Sequence, residues 1–146
     1  MAAAFALLAN ASVGAATKAP IQNAVKSGIY SSVQMSRETG DMGGFELELF
    51  ADAPTPYVEA VWCEGWCNSS HRFPVTWTKS GFTFEYNEKF DTQIAPDSIM
   101  RLPFKVERKG QGLVLTTRIE DDIITFKLKR IKNANGLMVA RIQHDK

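Results

Sequence analysis

Phe45-Glu46-Leu47-Glu48-Leu49 alternates apolar and acidic residues without a break. Successive side chains on a strand point to opposite faces. This period of two therefore sets Phe45, Leu47 and Leu49 on one face and turns Glu46 and Glu48 outward. The same period runs through most of the chain. Upstream, Ile29, Ser31, Val33 and Met35 share a face opposite Tyr30, Ser32 and Gln34. The glycine-rich turn Glu38-Thr39-Gly40-Asp41-Met42-Gly43-Gly44 then predicts a hairpin between that strand and the alternating one. Downstream, Asp52-Ala53-Pro54-Thr55-Pro56 is a stiff connector, because each proline lacks a donor and restricts the residue before it.

Further strands are predicted at residues 57–63, 73–79, 82–86, 99–108, 113–119, 123–132 and 137–142, separated by glycine, asparagine and acidic turns. Residues 87–98 form the longest loop, and Pro103 marks a bulge or an edge position. Eight or nine short strands at near-regular spacing give an all-β fold built as an antiparallel meander. Closing such a sheet removes its exposed edges. The expected architecture is a small closed or partly open barrel, lipocalin-like in outline, with a short N-terminal helix. A two-sheet β-sandwich is the alternative. The predicted interior holds Val33, Leu47, Leu49, Val61, Val75, Trp77, Phe82, Phe84, Phe104, Val106, Leu113, Leu115, Phe126, Leu128, Val139 and Ile142. A barrel of this size is either filled by such side chains or holds one small ligand.

The 146 residues suit one domain, and 45% hydrophobic with 23% charged residues is a globular balance. The net charge of +1 gives no long-range attraction to nucleic acid or to an anionic membrane. It hides an asymmetry: 4 Lys/Arg against 7 Asp/Glu up to Phe73, and 13 against 9 from Pro74 onward. The basic excess falls around Lys127, Lys129, Arg130, Lys132 and Arg141. It reads as a solvated sheet face that discourages edge pairing, or as a patch for an acidic ligand or partner. Residues 1–16, with the apolar run Ala2-Ala3-Ala4-Phe5-Ala6-Leu7-Leu8-Ala9 followed by small residues, read as a signal peptide remnant or an N-terminal helix. The run is too short to span a bilayer. Residues 17–146 then form a single β domain whose first stretch, 17–26, is a short helix with Pro20 in its first turn.

Trp62-Cys63-Glu64-Gly65-Trp66-Cys67 contains both cysteines and two of the three tryptophans. Three chemistries suit it. Cys63 and Cys67 flank a tight turn and are placed for a disulfide, as an exported chain favours. With His71 they are spaced for two thiolates and an imidazole on copper or zinc, with Glu64 or His144 as a fourth ligand. As a redox pair they have one residue too many between them. Trp62, Trp66, Trp77, Tyr57, Phe82 and Phe84 are candidate ligand-binding residues, an aromatic wall at the barrel mouth.

Catalytic chemistry is thinly represented. His71 and His144 are the two histidines, there is no nucleophile elbow, and Ser69 and Ser70 beside His71 read as loop polars. Glu120-Asp121-Asp122 is a turn without the spacing of a calcium loop. No phosphate loop or cofactor motif occurs, so no cofactor is expected. Asn68-Ser69-Ser70 and Asn10-Ala11-Ser12 match the glycosylation pattern.

Gly28-Ile29-Tyr30, Glu38-Thr39-Gly40-Asp41, Phe45-Glu46-Leu47 and Val61-Trp62-Cys63-Glu64-Gly65 together resemble a group of small uncharacterised exported bacterial β-domain proteins. That group opens with a Gly-x-Tyr strand and a Glu-Thr-Gly-Asp hairpin. The likeness covers about the first half of the mature chain. It implies a small extracytoplasmic β domain and brings no activity or site residues; the cysteine pair and His71 lie outside it. The expected function is non-enzymatic: a periplasmic or secreted protein holding a small apolar or amphipathic ligand in its barrel mouth. The alternative is a protein-interaction module, such as an inhibitor of a secreted hydrolase, using the Cys63–Cys67 loop. A metal-binding protein is the third reading.

Overall fold

The computed structural model describes residues 25–89 and 99–144. The expected leader (1–16), nearly all of the expected helix at 17–26 and most of the loop at 87–98 lie outside these residues. The elements are β1 (Gly28–Ser31), β2 (Gln34–Met35), β3 (Met42–Phe50), β4 (Tyr57–Gly65), β5 (His71–Pro74), β6 (Thr76–Trp77), β7 (Gly81–Lys89), β8 (Ile99–Lys109), β9 (Gly112–Ile119), β10 (Asp122–Ile131) and α1 (Gly136–His144). The strands form a nearly closed antiparallel barrel, as the alternation predicts. The strand order is β5-β4-β3-β1-β10-β9-β8-β7-β6, with β2 attached to β3.

Two meanders make the barrel, and β1 joins them. Tyr30 pairs with Leu47 of β3 on one side and with Arg130 of β10 on the other. The remaining seam falls in mid-chain, between β5 and β7. Their Cα atoms come within 8 Å, yet no ladder joins them among the described residues. The cause is local. Val75 N–H donates to the Pro56 carbonyl at 3.1 Å, and Phe73 pairs with Val58. The alternation of an antiparallel pair then turns the backbone groups of Arg72 and Pro74 toward the seam, and Pro74 has no N–H to offer. The predicted strand at 73–79 is accordingly split at Val75 into β5 and β6. Pro103 acts as expected: the β8–β9 ladder ends at Lys105↔Thr116, and Thr117 Oγ1 donates instead to the Pro103 carbonyl at 2.8 Å.

The interior is filled by rings. Phe45, Phe82, Phe84, Tyr86 and Phe104 are buried there, with Leu47, Leu49, Leu113, Leu115 and Leu128, while Trp62, Val75, Trp77 and Phe126 pack partly buried against them. Phe84 stacks on Phe104 with centroids 5.3 Å apart and planes 9° from parallel.

A second apolar cluster lies on the outer face of β3 and β4, under α1. It contains Met42, Val61, Cys63, Cys67, Leu137 and Ala140, with Val33, Ala134 and Val139 at its edge. This cluster corrects several expectations. Residues 137–142 are helix, not strand. Leu137 and Ala140 lie on the inward side of one helical face, while Ile142 faces solvent at 56% exposure. Val61 and Val139 are packed outside the barrel rather than inside it. Tyr30, not Val33, is the inward residue of the first strand, because the chain breaks register after Ser31, where the Ser31 hydroxyl accepts from Val33 N–H.

Glu46 and Glu48 do face outward, but α1 covers them. Arg141 donates to Glu48 Oε2 at 2.6 Å and to both oxygens of Glu59, at 2.8 and 3.0 Å. The hydrogen bond from Arg141 holds the Glu59 carboxyl below the ordinary value of 4.5; burial opposes this, and Ser70 and Arg72 reinforce it. A carboxylate depressed in the folded state stabilises the fold fully above its unfolded pKa, and that contribution is lost as pH falls through the folded value. The melting temperature should therefore fall with acidification below about pH 4.5, and less steeply in Arg141→Met. Parallel pH profiles for the two proteins would remove the clasp from the account.

Candidate functional site

β4 stays paired with β3 along its whole length, beyond the end of its ladder with β5, and ends in a turn held in the left-handed region by Gly65 (φ 80°). This brings Cys67 back beneath Cys63, and the two sulfurs are bonded, with Cα atoms 4.3 Å apart. Both cysteines are buried, and the start of α1 rests on them. A Cβ placed on Gly136 would lie 3.1 Å from Cys63 Sγ and 3.2 Å from Cys67 Sγ, so a side chain there would crowd both sulfurs. The disulfide therefore both closes the loop and seats the helix.

The loop is tied down on its far side as well. With its amide turned so that the oxygen faces the indole, Gln143 of α1 accepts from the Trp66 N–H and donates to the Asn68 carbonyl. Ser70 Oγ donates to Glu59 Oε1 at 2.8 Å, and Ser69 Oγ lies 3.2 Å from His71 Nε2. Trp66 stands at the tip of this braced segment, 42% exposed. Among the described residues, the other exposed large apolar side chains are Met35, which is cross-strand from Met42, then Met138 and Ile142 on α1, and Ile123. All but Ile123 belong to the side of the barrel that carries the loop and the helix.

The six expected wall residues do not form one surface. Phe82 and Phe84 are buried in the ring core, where Trp77 meets Phe82 edge-on at 5.7 Å. Trp62 points inward from β4 against Phe126 and Phe45. Tyr57 has the opposite parity and lies outside the barrel, stacked on Phe50 at 4.5 Å beneath the Arg72 guanidinium. Trp66 alone projects. Alternation was sufficient to separate Tyr57 from Trp62, since an odd spacing on one strand puts two residues on opposite faces. For the metal arrangement, both sulfurs are spent on each other, and no group of three or more His, Cys, Asp or Glu is gathered for a metal among the described residues. The seam holds an open groove of about 690 Å³, floored by Phe73 and Phe84 and rimmed by His71, Arg72, Glu85 and Asn87.

The sequence reading did not anticipate Glu46, Arg141 or Gln143 as the parts that fix this side of the molecule. Compared with known proteins, the chain matched no family model, no curated protein and no solved structure. No helix among the described residues is long and apolar enough to cross a membrane.

Proposed function

We propose that this chain is an exported, non-enzymatic protein-interaction module that presents Trp66 to an apolar pocket on a secreted protein, a hydrolase being the kind of partner such a projecting loop suits. One observation carries this reading: an exposed indole on a loop fixed by a disulfide, a helix and two serine hydrogen bonds. A loop ordered before binding loses less entropy on association, and tryptophan is enriched among the residues that dominate binding energy. Export is supported by the disulfide and by the signal-like first residues.

The test places a photocrosslinking residue at position 66 in cells exporting the protein. A discrete adduct with one secreted protein is expected, and none from position 123. Against that purified partner, Trp66→Ala should weaken binding by about 30-fold or more, the ~2 kcal/mol of a hot spot. Unchanged affinity would overturn the reading. A second reading, a small amphipathic ligand, is favoured by the seam groove, where Phe84 of the expected wall lies in the floor. Small-molecule mass retained in a native mass spectrum, with no adduct from position 66, would shift the assignment there.

A further inference from the structure

Asn135 stands at the N-cap of α1, directly before Gly136. Its carbonyl accepts the first bond of the helix, from Val139 N–H at 3.3 Å. An asparagine at this position ordinarily turns its side chain back onto the second or third amide of the helix. Here Glu46 has taken that place. Its single oxygen Oε1 receives the N–H of Asn135 at 2.9 Å and that of Leu137 at 3.0 Å. The Asn135 side chain is thereby relieved of capping. It is exposed, and among the described residues no hydrogen bond holds its amide. Gly136, which follows it, has no Cβ to hinder its own nitrogen from reaching the free carboxamide, and glycine accepts the backbone angles that this approach requires.

We propose that Asn135–Gly136 is a site of spontaneous modification, at which the folded protein converts Asn135 to isoaspartate and thereby releases α1. Base in the solvent takes the Gly136 amide proton. The nitrogen attacks Asn135 Cγ, an N–C bond forms, and the side-chain nitrogen leaves as ammonia. Water then opens the cyclic imide at either carbonyl, restoring one amide and leaving one carboxylate. Opening at the side-chain carbonyl gives aspartate. Opening at the main-chain carbonyl gives isoaspartate, whose peptide bond runs through Cβ. Nothing is oxidised or reduced, and water is the only co-reactant.

The isoaspartate strikes the seat of α1 in three ways. The extra methylene enters the main chain between the Asn135 and Leu137 amides, so one oxygen of Glu46 can no longer hold both. A new carboxylate appears beside Glu46, which is fully buried with Oε2 unpartnered, and like charges there repel. Gly136 is buried against Cys63 and Cys67, and a longer backbone displaces it from both sulfurs. The inference stands whether or not Trp66 binds a partner.

The full chain should be incubated in mildly alkaline buffer well below its melting temperature and sampled over time. Peptide mass mapping reads the conversion of each asparagine, and an isoaspartate-specific methyltransferase labels the rearranged product. Asn133 is the internal standard: it lies in the same turn, is also exposed, and is followed by Ala134 rather than glycine. Asn135 should become acidic and labelled while Asn133 remains an amide. Hydrogen exchange on the aged protein should show α1 losing protection in proportion to the labelled fraction, with the β8–β9 hairpin unchanged. Asn135→Gln keeps an amide at the position, but its longer side chain closes a larger and slower-forming ring. This variant should stay unlabelled and keep its α1 protection through the same incubation, and melting beforehand checks that it folds. Conversion no faster at Asn135 than at Asn133, an unlabelled product, full α1 protection in the labelled protein, or an equal loss in Asn135→Gln would each overturn the proposal.

Discussion

Phe45→Ala should destabilise the barrel by about 3–5 kcal/mol, the range for truncating a buried aromatic. Phe45 has no exposed surface and touches more of the ring core than any single contact conveys. Its centroid lies 5.0 Å from Phe104, 5.3 Å from Phe126, 5.6 Å from Tyr86, 6.3 Å from Trp62 and 6.5 Å from Phe84. These partners come from β4, β7, β8 and β10, on both sides of the β1 junction. The cavity left by alanine would therefore be bounded by several strands, each held by its own ladder and unable to collapse inward. Urea unfolding should show a lower midpoint with an unchanged slope, and melting should drop by roughly 10 °C for a domain of this size. Ile123→Ala, at 61% exposure, should shift stability by no more than about 0.5 kcal/mol. Similar losses at the two positions would mean that the rings do not form a common core.

The barrel was legible because alternation is a local property. Phe45-Glu46-Leu47-Glu48-Leu49 states which side of β3 faces in, and no distant residue is needed to read it. The same logic correctly placed Phe82, Phe84, Phe104 and Val106. It failed where the outside of the barrel is itself covered. Alternation says that Glu46 points away from the core; it cannot say that a helix from the other end of the chain lies on top. Residues 137–142 were ambiguous for the matching reason. A short apolar run gives no firm period, and Val139 and Ile142 suggested a strand. The usable signal was composition: Leu137, Met138, Ala140, Arg141 and Gln143 are good helix formers, following the turn residues Asn133 to Gly136. The cysteine pair was readable from spacing, because a disulfide across a tight turn is a local event.

Glu46→Ala should cost roughly 2–4 kcal/mol and release α1 before the barrel opens. The helix brings no acidic residue in its own first turn. Glu46, from β3, supplies the missing acceptor: its Oε1 takes the N–H of Asn135 at 2.9 Å and of Leu137 at 3.0 Å. These are donors that a helix start leaves without internal partners, and a carboxylate there also meets the positive end of the helix dipole. The carboxylate is fully buried with Oε2 unpartnered, so part of the gain offsets its own desolvation. Glu46→Gln separates the contributions. Its carbonyl can still accept both bonds, and only the charge is lost, a cost of about 1 kcal/mol. The decisive readout is amide hydrogen exchange. In Glu46→Ala the α1 amides should lose protection while the β8–β9 hairpin keeps it, because α1 packs chiefly on β3 and β4. Because the same helix seats the disulfide and holds Trp66 through Gln143, the Ala variant should also loosen the loop proposed to bind a partner. Unchanged α1 protection in Glu46→Ala would show that the apolar cluster alone holds the helix and that the carboxylate is not its anchor.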